Sequence, residues 1–102
     1  MIPLKTIEEL IIKHSNLEKD LSSSDLNKNE FAEKSKEYSG LNEIIQPAKK
    51  YLSIEKEKKE LEKIIEEQNN DDELKKMAET DLNELKKDFE KNEKKLKLFL
   101  LP

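Results

Sequence analysis

The sequence predicts an all-α chain: a three-helix antiparallel bundle with a long central helix and a projecting two-helix coiled-coil arm. Apolar residues recur at steps of three and four along nearly all of the 102 residues, which is the period of helix seams. Charged residues, all Asp, Glu and Lys, make up 43% of the chain, a composition typical of long helices. Helix-disfavouring residues are scarce, with one glycine and three prolines. Hydrophobic residues at 33% and a mean hydropathy of −0.98 leave room for only a thin core. One helical domain over 1–102 is therefore expected, with its apolar side chains confined to the seams.

The first helix is expected over about residues 3–21. Pro3 suits a first helical turn, and Ile7, Leu10, His14, Leu17 and Leu21 form the seam. The run Ser22-Ser23-Ser24-Asp25 ends it, because these side chains compete for backbone hydrogen bonds. The second helix is expected over about 29–68, starting between Asn27 and Glu30. One apolar line, Phe31, Tyr38, Leu41, Ile45, Ala48 and Leu52, gives way to another, Tyr51, Ile54, Leu61 and Ile65. Pro47 lies inside this helix, where it deletes a backbone bond and clashes with the preceding turn at roughly 3 kcal/mol. A kink near Ile44 to Gln46, helped by Gly40, is the expected response, with a full break as the rival. The third helix, about 71–100, carries a cap signal in Asn70 with Glu73 three residues on, and Asp71 and Asp72 sit favourably at the positive end of its dipole. Its seam reads Leu74, Ala78, Leu82, Leu85, Phe89, Leu96 and Phe99, with Asn92 on the same line.

Short connections force neighbouring helices antiparallel, so folding the chain back at each loop gives a register. His14 falls opposite Tyr38, Leu10 opposite Leu41, Leu21 opposite Phe31, Ile7 opposite Ile45, and Tyr51 opposite Phe89. Three helices should share a core around Ile7, Ile11, Leu41, Ile45, Leu52, Leu96 and Phe99, whereas Leu61, Ile65, Leu74 and Ala78 lie on helices with one partner each. That thinner end is the projecting arm. Its acidic tip, Glu66, Glu67, Asp71 and Asp72, is the expected partner-binding point.

Several function classes are disfavoured. A net charge of −4 and a pI near 5.2 give no generic attraction to nucleic acid or anionic membranes. All twenty basic residues are lysine, so no guanidinium fork is available for base edges. The N-terminal apolar cluster, Ile7 and Leu10 to Ile12, is interrupted by Glu8 and Glu9 and is too short for a signal peptide or a membrane span. His14 has no convergent set of partners and reads as structural. The pairs Glu66-Glu67 and Asp71-Asp72 lack the glycine turn and alternating ligands of a calcium loop, and read as solvated caps. Lys86, Lys87, Lys91, Lys94, Lys95 and Lys97 make the last helix locally basic, which complements its C-terminal dipole or forms a phosphate-facing patch. No phosphate loop, nucleophile elbow or cysteine zinc spacing is present, so no catalytic, metal or cofactor residue is assigned and no enzymatic role is expected. A cytoplasmic setting is expected from the absence of cysteine and of targeting segments.

Asp71-Asp72-Glu73-Leu74-Lys75-Lys76-Met77-Ala78-Glu79, continuing through Asp81-Leu82 to Leu96-Lys97-Leu98-Phe99-Leu100-Leu101-Pro102, resembles the N-terminal region of the bacterial peptide chain release factor 1 family. Ser35-Lys36-Glu37-Tyr38-Ser39-Gly40-Leu41 is similar to the same family's second helix. The resemblance covers essentially the whole chain, its more specific parts being Asp71 to Ala78 and the terminal Leu-Leu-Pro; Pro47 departs from it. It implies the N-terminal domain of a longer factor that directs peptide release at UAA and UAG codons. It further implies contacts with the ribosome at the stalk-base region and with a GTPase release factor, and no direct codon contact from this domain. The family reads codons with Pro-x-Thr and hydrolyses with Gly-Gly-Gln. Neither occurs here, Gly40 being the one glycine. The alternative on composition alone is a free-standing helical adaptor or chaperone-like coiled coil.

Overall fold

The computed structural model describes residues 1–23, 25–67, 69 and 71–101. They form four helices, α1 (Leu4–Ser22), α2 (Lys28–Asn42), α3 (Ile45–Glu66) and α4 (Asp72–Leu100), with no strand among the described residues. Helix α1 packs on α2 and α3, α2 touches α3, and α4 lies along α3, while the α1 and α4 backbones do not meet. The molecule is elongated, 62 × 26 × 17 Å.

The expected central helix over 29–68 is in fact two helices, and the bundle has four helices rather than three. Helix α2 ends at Asn42; the turn at Glu43 and Ile44 is closed by the Ile44 amide donating to the Leu41 carbonyl at 3.0 Å. Pro47 then falls on the third position of α3, where the missing N–H is one that a helix start leaves unpaired anyway. An unbroken helix would have driven the proline ring into the Glu43 carbonyl, at roughly 3 kcal/mol. Restarting the helix removes that penalty, so a break replaces the kink. Gly40 is not what permits it: the residue sits inside α2 without a positive φ, and nothing lies within 4 Å of where its Cβ would be. Gly40→Ala is therefore expected to raise stability by about 0.5–1 kcal/mol. Denaturant midpoints measure this, and a lowered midpoint would contradict the helical environment.

Capping residues set the helix starts. Asn27 caps α2 by accepting from the Glu30 amide at 2.9 Å, and its side-chain N–H donates to Glu30 Oε1 at 2.9 Å, which holds the capping amide in place. Asp71 caps α4 by accepting from the Leu74 amide at 2.7 Å. The sequence pointed instead to Asn70, which lies outside the described residues. With α4 beginning at Asp72, the third helical position is Leu74 and not Glu73, so the expected Asn70–Glu73 box is not the cap. Before α1, Pro3 is extended, and its carbonyl receives the Thr6 and Ile7 amides.

The main core joins Ile2, Ile7, Leu17, Leu41, Ile44, Ala48, Tyr51 and Leu96, with Ile11, Tyr38, Leu52 and Phe89 packed against it. Tyr51 is fully buried at its centre. Its hydroxyl accepts from the Ile2 amide and donates to the Ile2 carbonyl, each at 3.1 Å, so one side chain of α3 satisfies both polar groups of a buried N-terminal residue. Two ring pairs follow the expected register. His14 stacks on Tyr38 with centroids 4.7 Å apart, and Tyr51 meets Phe89 at 5.0 Å. His14 is buried, and its Nε2 lies 2.6 Å from Asn42 Oδ1 at the end of α2, within hydrogen-bond distance. Asn92, also buried, donates to the Pro47 carbonyl at 2.9 Å and ties α4 to the restarted helix.

Three residues assigned to seams are left partly exposed. Phe31 is 50% exposed, Leu74 42% and Phe99 37%, because each lies near a helix end with little opposite it. Ile45 is buried but stands apart from the main cluster. Beyond Tyr51, the buried apolar residues Ile54, Ala78 and Leu82 belong to α3 and α4 alone.

Candidate functional site

The four residues expected to bind a partner are all exposed where α3 gives way to α4. Glu66 is the last residue of α3, and Glu67 follows it with extended backbone, its amide donating to the Lys63 carbonyl at 3.1 Å. Asp72 opens the first turn of α4, where a carboxylate complements the helix dipole. Asp71 is different in kind, because its carboxylate is engaged as the cap of α4. All four therefore stand around one tip, and the Asp71 carboxylate is the one that caps α4. Among the described residues, no three His, Asp or Glu side chains converge as metal ligands would.

A second surface lies at the other end of the α3–α4 pair. Gln46, Pro47 and Lys50 of α3 face Asp88, Lys91, Asn92 and Lys95 of α4 across a cleft of about 360 Å³. The α4 residues are spaced at three, four and seven, which places them on one helix face. The hydrogen bond from Asn92 to Pro47 forms part of this lining and fixes the two helices at its base. Three lysines thus share the cleft with a single carboxylate, and none of the three is ion-paired among the described residues. Elsewhere, lysines do find carboxylates: Lys34 with Asp20 at 2.7 Å, Lys97 with Glu93 at 3.1 Å, and Lys13 with Glu37. Lys91 and Lys95 belong to the basic run visible in the sequence. Lys50 does not, since its place depends on the pairing of α3 with α4.

A family model described as the PCRF domain matches residues 10–102. The chain belongs to the PCRF domain family. Over its whole length of 102 residues, this PCRF domain is 65% identical to Peptide chain release factor 1 of Pelagibacter ubique (strain HTCC1062), and it spans 29% of that protein's length. No solved structure matches it significantly. No helix among the described residues of the PCRF domain is long and apolar enough to cross a membrane.

Proposed function

We propose that this chain is the N-terminal domain of a cytoplasmic translation termination factor that directs peptide release at UAA and UAG codons. Within that factor it serves ribosome and partner-factor interaction rather than codon reading or hydrolysis. The observation that carries the reading is the 65% identity, along the entire chain, to a protein named Peptide chain release factor 1, of which it spans 29%. The absence of Pro-x-Thr and Gly-Gly-Gln from the sequence supports a non-catalytic share of the work. The partners in this reading are the ribosome at the stalk-base region and a GTPase release factor.

The acidic tip is the proposed docking point for a protein partner. A simple reversal of all four charges would confuse docking with folding, because losing the Asp71 cap costs about 1 kcal/mol. Asparagine caps as well as aspartate, so the informative variant combines Glu66→Lys, Glu67→Lys, Asp71→Asn and Asp72→Lys. Co-sedimentation of the chain with ribosomes should weaken about tenfold in this variant, with little change in thermal midpoint. Unchanged affinity would remove the tip from the interface. A parent chain that fails to sediment with ribosomes would count against the ribosome reading itself.

A further inference from the structure

The lysines around the cleft between α3 and α4 take no part in the core, and the composition of the cleft departs from that of the chain. A molecule of net charge −4 places three lysines around one concavity and leaves them without ion pairs among the described residues. All three are exposed, and Asp88 is the only carboxylate in the lining. We propose that this cleft binds the phosphates of an RNA backbone through Lys50, Lys91 and Lys95, with the buried Asn92 holding its floor in place. The choice of RNA rests on the ribosome reading above.

The geometry suits that ligand. Lys91 and Lys95 are one helical turn apart, a rise of about 6 Å, close to the spacing of successive phosphates on one strand. Lys50 reaches the same space from α3, so a strand following the cleft meets ammonium groups from both sides. Lysine engages phosphate as a point charge and reads no base edge, so binding should be indifferent to sequence. The acidic tip lies about sixteen residues further along α3, roughly 24 Å away, and its charge points a polyanion towards the cleft end and away from itself. With the whole chain acidic, attraction is short-ranged and comes from the few contacts made. The salt dependence should accordingly be shallow, with a slope of log affinity against log salt of about −2 to −3 for three phosphates.

The test is an amide NMR titration of the chain at low salt with a short oligouridine strand and, separately, a short RNA hairpin. Shifts are expected at Gln46, Lys50, Lys91, Asn92 and Lys95 with either RNA. The combined Lys50→Gln, Lys91→Gln and Lys95→Gln variant should bind about tenfold more weakly. A variant carrying the same charge change elsewhere on α4, Lys86→Gln, Lys87→Gln and Lys94→Gln, should lose no more than about threefold. Shifts centred elsewhere, or equal losses in the two variants, would overturn the site. Equal shifts with polyglutamate would assign the cleft to an acidic peptide, and equal shifts with inorganic phosphate at matched phosphate concentration would reduce it to an isolated anion site; either result overturns the RNA proposal. Ribosome co-sedimentation separates this inference from the reading beneath it. A chain that sediments with ribosomes but leaves the cleft unshifted by RNA refutes the cleft alone. RNA filling the cleft of a chain that does not sediment with ribosomes sustains the cleft and refutes the ribosome reading.

Discussion

Tyr51→Ala should cost about 3–5 kcal/mol, a large share of the roughly 5–15 kcal/mol that holds a domain of this size together. The ring is fully buried where the main core meets Phe89, and its hydroxyl serves both the amide and the carbonyl of Ile2. Tyr51→Phe separates the two contributions. It keeps the ring and leaves two buried backbone groups without a partner, for an expected loss of about 1–3 kcal/mol. The phenol also gives a pH signature. Burial, foremost, pushes its pKa above the ordinary value of 10.0; the hydrogen bond to Ile2, next in size, lowers it, and the nearby charges of Glu93 and Glu55 add smaller upward pushes. Above about pH 10 the unfolded chain releases this proton while the folded chain retains it. The folded state then binds more protons than the unfolded state, so this contribution is intact below pH 10 and is lost as pH rises through the elevated pKa. Thermal midpoints measured at about pH 9 and 11 should fall further for the parent than for Tyr51→Phe, which lacks the group. Equal falls would mean that the hydroxyl is not held as described.

Glu55→Met should act in the opposite direction and stabilise the chain by about 1–3 kcal/mol. Glu55 is only 7% exposed, and its Oε1 has no hydrogen-bond partner among the described residues. A carboxylate oxygen removed from water without a donor is a net cost of folding, and methionine fills a similar length without one. Glu55→Gln should gain less, because an amide there still carries a polar group into the same surroundings. Urea unfolding of the three proteins ranks them directly. A destabilised Glu55→Met would show that this carboxylate is compensated within the fold.

Much of this architecture was legible because helix seams are local patterns. Folding the chain back at two loops was enough to place His14 beside Tyr38 and Tyr51 beside Phe89, since antiparallel neighbours inherit their register from the loops. Pro47 announced the interruption, but not that it would be complete. That depended on whether the chain could recover a turn and a second helix start at Glu43 and Ile44, which is a question of tertiary packing. The cap of α4 moved by one residue because Asn and Asp are near-equal caps and stand side by side in Asn70-Asp71. The clasp of Tyr51 on Ile2 joins groups 49 residues apart, one of them backbone, and leaves no periodic trace. The closeness of the acidic residues could be read directly because Glu66, Glu67, Asp71 and Asp72 are near neighbours in the sequence. The basic cleft could be read only in half, because Lys50 joins Lys91 and Lys95 through the pairing of two helices.

Backbone amide exchange along α3 and α4 tests the unequal distribution of the core most directly. The main core engages α3 at Ala48 and Tyr51 and α4 at Leu96, whereas Leu61, Ile64 and Ile65 are only partly buried and Leu74 and Met77 are exposed. Apolar burial contributes about 25 cal/mol per Å² removed from water, so the tip end should open at a lower free energy than the core end. Amides of Tyr51 to Ile54 and Asn92 to Leu96 are expected to exchange at or near the rate of global unfolding. Those of Leu61 to Ile65 and Ala78 to Leu82 should exchange faster, by local opening. Uniform protection along both helices would contradict a core concentrated at the end where Ile2, Tyr51 and Leu96 meet.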